Sequence, residues 1–202
     1  MGFYDHYLSF CVRSSIQEPP KHIVLIITER DLLIQHAYVT LEKLFKWAFD
    51  YGAEVVSVYV SVLDSAIVPT LNRELSLIQT SKKITICQPS NFSRAETPIR
   101  IGIGLGGKYE FTEAVKSICS NVQDGNIHPD EITNSTIEEQ LVFPAEPDLV
   151  IKTGGEYLSD FMIWQSVYSE LYFTDINWRD FRKRDYLRAL LDYASRKRRF
   201  GT

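Results

Sequence analysis

Residues 147–175 read PDLVIKTGGEYLSDFMIWQSVYSELYFTD, and this stretch decides the fold. Its apolar segment Asp148–Lys152 runs into a hydroxyl and two glycines, and a second apolar segment follows at Leu171–Phe173. A continuous apolar run is typical of a strand buried on both faces, usually in a parallel sheet. Ligands bind such sheets beyond the carboxyl ends of the strands. The stretch therefore predicts an α/β protein with a candidate site directly after Lys152.

The amino-terminal half shows the same kind of pattern. The apolar runs His22–Thr28 and Val55–Val60 flank a segment from Asp31 to Tyr51 with helical spacing, ended by Gly52. Strand, helix and strand in close order indicate a βαβ unit with parallel strands. The other predicted elements are strands at Lys83–Cys87 and Ile99–Ile103 and helices at Leu71–Ile78, Tyr109–Asn121, Thr136–Leu141 and Arg182–Arg198, with a helix start at Pro129–Glu131.

The predicted fold class is α/β, a single domain over residues 1–202 with a mostly parallel central sheet flanked by helices. Residues 1–20 are interpreted as an amino-terminal arm or short helix, and residues 196–202 as a basic carboxyl-terminal tail. One domain with a substantial core is what 202 residues allow.

The bulk composition excludes several classes of protein. The net charge of −4 argues against nucleic acid as a partner. The three cysteines are far apart and form no C-x-x-C pair, which argues against a disulfide framework or a zinc site and fits a reducing compartment. No apolar run is long enough to span a membrane, and no signal sequence is evident. We expect a cytoplasmic protein, with peripheral attachment to a membrane left open.

Three groups of residues could carry chemistry. Lys152–Glu156 could bring backbone N–H groups and a cation to a phosphate, and a tight turn without a ligand explains its glycines equally well. Glu170 and Asp175 could bind Mg²⁺, although solvated acids are the favoured interpretation. The basic tail Arg196–Gly201 either complements the dipole of the last helix or recognises phosphate.

Together these segments resemble the closing motifs of the cis-prenyltransferase family, which includes undecaprenyl diphosphate synthase. The matching residues are Lys152–Glu156, Ser159–Gln165, Tyr168–Asp175, Trp178 and Arg198–Gly201, with weaker support from Pro20–His22, Gly106–Lys108 and Gly125-Asn126. Family enzymes condense isopentenyl diphosphate onto an allylic diphosphate, with Mg²⁺, to make cis-polyprenyl diphosphates that carry glycans. The resemblance implies a cis-prenyltransferase-like fold. It also implies a remnant diphosphate site and a metal role for Glu170; the remnant site comprises Lys152, Gly154, Gly155 and Ser159.

The departures from the family pattern fall at three different parts of its active site. In the Asp-Gly-Asn-x-Arg loop that follows the first strand, the metal-binding Asp position falls on Thr28, and Glu29 or Asp31 could replace it only in a shifted register. Of two arginines in the isopentenyl-binding motif, the first is Lys152 and the second is deleted. The family's long helix along the product tunnel has no room between residues 59 and 106.

These departures favour a chain without catalytic residues of its own. It resembles the non-catalytic subunit of two-subunit family members, such as the enzyme that contains the Nogo-B receptor. The expected partner is a catalytic cis-prenyltransferase subunit, in a heterodimer or heterotetramer, which holds the Mg²⁺; a homodimer could form without it. The dimer face is predicted at residues 161–173 and the last helix. Isopentenyl diphosphate is shared at the interface, where the tail residues bind it in the partner's site: Arg198, Arg199, Phe200 and Gly201.

Two alternatives stay open. The first is a self-sufficient, divergent cis-prenyltransferase that uses Glu29 or Asp31 for Mg²⁺ and makes a short product. The second is a binding module that uses the same fold for a protein or lipid-phosphate ligand, without enzymatic activity.

Overall fold

The computed structural model describes residues 3–91, 94–155, 162 and 164–196. The helices are α1 (Phe3–Ser15), α2 (Glu29–Leu32), α3 (Ala37–Asp50), α4 (Val68–Ser76), α5 (Gly107–Gln123), α6 (Asn134–Glu138) and α7 (Lys183–Ser195). The strands are β1 (His22–Thr28), β2 (Val55–Ser61), β3 (Ile84–Cys87), β4 (Ile99–Ile103), β5 (Leu149–Thr153) and β6 (Glu170–Thr174). Short 3-10 turns occupy Ser65–Ile67, Pro129–Glu131 and Trp178–Asp180.

The six strands form one sheet in the order β3-β4-β2-β1-β5-β6, and every neighbouring pair is parallel. This confirms the predicted α/β fold with a central parallel sheet. Thr28 pairs with Ser61, and Ile26 pairs with Lys152, so the carboxyl ends of β1, β2 and β5 lie side by side. Parallel sheets bind their ligands beyond these carboxyl ends.

The two faces of the sheet carry cores of different size. The larger core lies between the sheet and the helices α1, α3, α4 and α7 and includes Leu41, Phe45, Leu71 and Leu190, all fully buried. The opposite face carries a smaller cluster around Phe143. Most of the apolar surface that stabilises the fold is therefore buried on the α3 and α7 side.

The single helix expected from Asp31 to Tyr51 is wrong, because the chain forms two helices there. His36 adopts a left-handed conformation with φ of 68° directly before α3 begins. A helix cannot continue through such a residue. Gly52 does end this region as predicted: its φ is +99°, and a Cβ atom there would lie 2.7 Å from Pro19 Cγ.

The other predicted elements are confirmed: the strands His22–Thr28 and Ile99–Ile103 have the predicted bounds, and most of the others have shifted ends. The last helix is shorter than predicted and ends at Ser195, since Arg196 has an extended backbone with ψ of 140°. The helix expected at Leu71–Ile78 begins earlier, at Val68, because Pro69 suits a first helical turn. The amino-terminal segment forms the helix α1, whose Leu8 and Val12 belong to the larger core.

Candidate functional site

The end of β1 is closed by a helix cap. The Asp31 carboxylate accepts hydrogen bonds from the backbone N–H and the hydroxyl of Thr28, each at 2.8 Å. A Thr followed three residues later by an acid is the capping-box arrangement that starts a helix. Asp31 therefore holds the first turn of α2 in place. Thr28, at the position where the resemblance expects a metal-binding Asp, contributes a hydroxyl to the same cap.

Glu29 is also committed to structure. Its side chain is 9% exposed, and its Oε2 accepts hydrogen bonds from the backbone N–H groups of Leu63 at 3.0 Å and Asp64 at 3.4 Å. These bonds tie the turn after β2 to the start of α2. Both acids that could have served a shifted metal site thus have backbone or hydroxyl donors as partners.

Lys152 lies beside this cap at the end of β5. Its side chain is 8% exposed, and its ammonium donates a hydrogen bond to the carbonyl of Thr153. Burial lowers the pKa of Lys152, and the nearby Asp31 carboxylate acts in the opposite direction. The two halves of the predicted site are therefore neighbours, but the cation already has a backbone partner.

The Thr-Gly-Gly turn after β5 has both used and unused polar groups. The Thr153 hydroxyl is buried and has no hydrogen-bond partner in the described part of the chain. Gly154 has φ of +68°, which favours glycine, and its N–H donates to the carbonyls of Thr174 at 3.0 Å and Ile176 at 3.2 Å. The Gly154 N–H is thus turned toward β6 and the segment after it. Gly155 has φ of +136°.

Glu170 lies at the amino end of β6, whereas Lys152 lies near the carboxyl end of the neighbouring strand β5. It begins β6 and pairs with Leu149, three residues before Lys152, which corresponds to about 10 Å along the strand. Its Oε2 accepts a hydrogen bond from Arg196 Nη1 at 3.1 Å. Within one chain, Glu170 and the end of β1 are not brought together.

The described residues do not fit a magnesium ion. No three His, Cys, Asp or Glu side chains converge as metal ligands within residues 3–91, 94–155, 162 and 164–196. Mg²⁺ needs carboxylate oxygens that are open to it, and one oxygen of each acid, Glu29 Oε2 and Asp31 Oδ2, already accepts two hydrogen bonds. No reaction step through a metal can be derived from these residues.

A buried hydrogen-bond cluster that the sequence did not predict lies at the smaller core, which contains Val142 and Phe143. Glu110, 1% exposed, accepts from the N–H groups of Val142 at 2.8 Å and Phe143 at 3.2 Å. Gln165 donates to the Phe143 carbonyl at 3.0 Å. Burial raises the pKa of Glu110, while these hydrogen bonds oppose the shift. A sequence signal existed, since Glu110 shares the helical face of Ala114, and an acid in an apolar stripe needs buried donors.

Several predicted site residues lie outside the described residues. They are Ser159, Arg198, Arg199, Phe200 and Gly201, together with Phe161 in the predicted dimer face.

The sequence matches a family of known proteins over most of its length. The profile described as "Putative undecaprenyl diphosphate synthase" matches residues 71–201. A synthase from Picrophilus torridus, named tritrans,polycis-undecaprenyl-diphosphate synthase (geranylgeranyl-diphosphate specific), is 31% identical over 197 residues, which is 80% of this chain and 77% of that protein. This chain belongs to the undecaprenyl diphosphate synthase family. The resemblance seen in the sequence is thereby confirmed at the level of the family.

Other relatives within the undecaprenyl diphosphate synthase family match smaller shares of their own length. The ditrans,polycis-undecaprenyl-diphosphate synthase of Escherichia coli, specific for (2E,6E)-farnesyl diphosphate, is 35% identical over 80% of this chain and 63% of its own length. A Methanocaldococcus jannaschii synthase is 49% identical over 51% of this chain and 39% of its own. The chain thus spans less than two thirds of these two relatives.

Solved structures support the fold of this family. Lavandulyl diphosphate synthase from Lavandula x intermedia, in complex with dimethylallyl diphosphate, superimposes with a TM-score of 0.74 at 22% identity, over 91% of this chain and 99% of that one. A probable undecaprenyl diphosphate synthase from Campylobacter jejuni gives 0.69 at 19% identity, over 93% and 100%. At these identities the likeness establishes the fold alone.

Proposed function

We propose that this chain is the accessory, non-catalytic subunit of a heteromeric cis-prenyltransferase that makes a polyprenyl diphosphate, the precursor of a glycosyl carrier lipid. The observation that carries the proposal is the closed end of β1. Thr28 stands where family enzymes hold Mg²⁺ with an aspartate, and Asp31 caps the adjoining helix. The partner subunit supplies the aspartate loop and, with it, the Mg²⁺ ion.

The close packing of α3 and α4 against the sheet supports the same division of labour. The side chains of α3 and α4 that face the sheet are fully buried and form one core with β2 and β4; they include Leu41, Leu44, Leu71 and Leu75. Protein interiors of this kind are close-packed. A polyprenyl chain would have to displace this core, so the product tunnel belongs to the partner.

The edge of the sheet at β6 supports an interface with that partner. In the described sheet, β6 has a neighbouring strand on one side only. Val167, Tyr168 and Phe173 beside that edge are 68%, 48% and 37% exposed. An edge strand with exposed apolar side chains is a surface that proteins usually cover. This surface coincides with the predicted dimer face, which also serves a homodimer when the partner is absent.

In this arrangement the carboxyl-terminal tail acts in the neighbour's site. The Arg199 guanidinium would bind the diphosphate of isopentenyl diphosphate through paired N–H groups, with Arg198 adding charge. Gly201 would allow the tail backbone to lie close to the ligand. Lys152, Gly154, Gly155 and Ser159 then remain as a remnant of the diphosphate site rather than as its working part.

A self-sufficient enzyme is the second candidate, and the named activities of the relatives favour it. The Picrophilus torridus and Escherichia coli proteins are synthases by name. In that case Glu29 or Asp31 would have to exchange its present hydrogen bonds for Mg²⁺. Substituting both acids would then abolish turnover by the purified chain.

The two candidates are separated by assaying the chain alone and as a complex with a co-purified cis-prenyltransferase. Each preparation receives isopentenyl diphosphate, an allylic diphosphate and Mg²⁺. We expect no turnover from the chain alone and turnover from the complex. Arg199→Ala should reduce the activity of the complex by roughly a hundredfold, since a charge-assisted bidentate contact is lost. Lys46→Ala, which removes an exposed cation that pairs with Asp50, is the matched control and should have no effect.

Turnover by the unmodified chain alone would contradict the proposal, as would a complex that keeps its full rate with Arg199→Ala. A chain that stimulates no prenyltransferase at all would favour a non-enzymatic binding module instead.

A further inference from the structure

A cleft of about 420 Å³ lies on the α3 side of the sheet, between α3 and the segment that joins α4 to β3. The helices there pack on the sheet, and no described helix is long and apolar enough to cross a membrane. α3 leads into β2 and the joining segment leads into β3, so the cleft is near the amino ends of these strands. In the described sheet, β3 and β6 are the two outermost strands. The cleft is therefore separate from the candidate site at the carboxyl ends and from the proposed interface at β6.

Two contacts hold the walls of this cleft together. Glu42 on α3 accepts a hydrogen bond through Oε1 from the N–H of Gln79 at 2.9 Å. The ammonium of Lys82 lies over the Phe49 ring, 5.6 Å from its centroid. Phe49 also packs against the larger core, which holds its ring in place at the cleft wall.

The charged side chains of the cleft are unequally engaged. Both acids have partners, since Asp50 pairs with Lys46 at 3.2 Å and Glu42 makes the contact between the walls. Lys43 and Lys82, by contrast, have no ion pair in the described part of the chain. The cleft thus offers two ammonium groups to an anion, in a chain whose net charge is −4.

We propose that this cleft binds a small molecule that joins a phosphate to a flat ring, such as a nucleoside monophosphate. The ring stacks on Phe49 in place of the Lys82 ammonium, as bases stack on aromatic side chains. The displaced ammonium then meets the phosphate together with Lys43. The Thr80 hydroxyl accepts a hydrogen bond from the N–H of Lys82 at 3.3 Å and has its own proton to donate to the phosphate.

The size of the cleft agrees with such a ligand, since small-molecule sites usually enclose a few hundred cubic ångströms. The site uses no residue of the β6 interface or of the carboxyl-terminal tail. It therefore stands or falls independently of the proposed function.

The test is titration of the isotope-labelled full chain with adenosine monophosphate, inorganic phosphate and adenosine at constant ionic strength, followed by NMR chemical shifts. We expect adenosine monophosphate to shift the amide signals of Phe49 and of residues 79–82. Inorganic phosphate and adenosine should each bind at least about tenfold more weakly, because each makes only one of the two contacts.

Variants separate the two contacts. Lys43→Gln/Lys82→Gln should bind adenosine monophosphate at least about tenfold more weakly, since two charge-assisted contacts are lost. Phe49→Leu should weaken adenosine monophosphate by about fivefold and leave inorganic phosphate unchanged, because only the stacking surface is removed. Arg94→Gln/Lys116→Gln, which removes two exposed cations on other elements, is the matched control and should bind like the native chain.

Three results would overturn this inference. The first is absent binding, or equal binding by the native chain and Lys43→Gln/Lys82→Gln. The second is equal affinity for inorganic phosphate and adenosine monophosphate, which would exclude stacking on Phe49. The third is a set of shifts confined to residues 152–155, which would place the ligand at the turn after β5. Each variant is first compared with the native chain by urea unfolding, and the lysine pair, at exposed positions, carries the test should Phe49→Leu be less stable.

Discussion

The ends of β1 and β5 lie side by side, yet their polar groups are used differently. At the end of β1, Thr28, Glu29 and Asp31 all take part in hydrogen bonds that hold the backbone. At the end of β5, the Thr153 hydroxyl is buried without a partner in the described chain. The polar groups at the first end are committed to the scaffold, whereas the second end has a buried hydroxyl without a partner among the described residues.

The two ends differ because their local sequences differ. At β1, Thr28 and Asp31 are three residues apart and form a helix cap. At β5, Gly154 and Gly155 have positive φ and shape the turn of the backbone with or without a ligand.

The largest effect on stability is expected from His22, at the amino end of β1. This residue serves as a reference for the two carboxyl ends of β1 and β5 that are compared. His22 is buried, its ring nitrogens lie 3.1 Å from the Glu146 carbonyl and 2.8 Å from the Ser57 hydroxyl, and burial lowers its pKa to about 4. Between pH 6.5 and 4 the unfolded chain therefore binds a proton that the folded chain does not. The free energy of unfolding should fall by about 3 kcal/mol from the pH 6.5 end of this range to the pH 4 end.

Urea unfolding at a series of pH values measures this dependence. His22→Gln should remove the pH dependence between pH 4 and 6.5, whereas His128→Gln at an exposed position should retain it. A native chain whose stability is constant over this range would contradict the burial of a neutral His22.

The next effect concerns the acid at the end of β1. Glu29→Ala should lower the free energy of unfolding by about 2 kcal/mol, because two backbone N–H groups lose a charged acceptor. Glu29→Gln keeps an acceptor oxygen and should lose less. Glu139→Ala, at an exposed position, is the control for urea unfolding. If Glu29→Ala were neutral, the acid would not be part of the scaffold and would again be available to a metal.

A matched pair of threonines compares the two strand ends directly. Thr28→Val removes a hydroxyl bonded to Asp31 and should destabilise the chain by about 1 kcal/mol. Thr153→Val replaces an unpartnered buried hydroxyl with a methyl group and should stabilise it by about 1 kcal/mol. Thermal and urea unfolding give the signs. The same sign for both substitutions would remove the distinction between the two ends.

The smallest effect is expected at Lys152. Lys152→Met should change the free energy of unfolding by less than about 1 kcal/mol, because the loss of one hydrogen bond is offset by relief of a buried charge. Lys116→Met, at an exposed lysine, provides the comparison in the same urea titration. A loss well above 1 kcal/mol would mean that attraction between Lys152 and Asp31 holds the two strand ends together.

The four inner strands were predictable because they are buried on both faces and read as continuous apolar runs, as in His22–Thr28. The break between α2 and α3 was not predictable, because the spacing of apolar residues gives no sign of the left-handed conformation of His36. Periodicity reports which residues are buried, and it does not report a local change of backbone direction.

For the site, the sequence placed Thr28, Glu29 and Asp31 at the end of β1 and did not indicate their hydrogen-bond partners. The Thr28 to Asp31 spacing was itself a capping signal, and a local pattern of that kind could have been recognised. The role of Glu29 could not have been recognised in this way, because its partners Leu63 and Asp64 are more than thirty residues away along the chain. Such partners depend on tertiary structure.

We propose that the end of β1 does not bind a metal ion, because its acids already accept hydrogen bonds from the backbone. This can be measured by titrating the purified chain with Mn²⁺ in the presence of inorganic diphosphate and following the electron paramagnetic resonance spectrum. We expect the chain to leave the spectrum of the Mn²⁺–diphosphate solution unchanged, and Asp31→Asn to give the same result. One tightly bound Mn²⁺ per chain that is lost in Asp31→Asn would show that the end of β1 is a metal site.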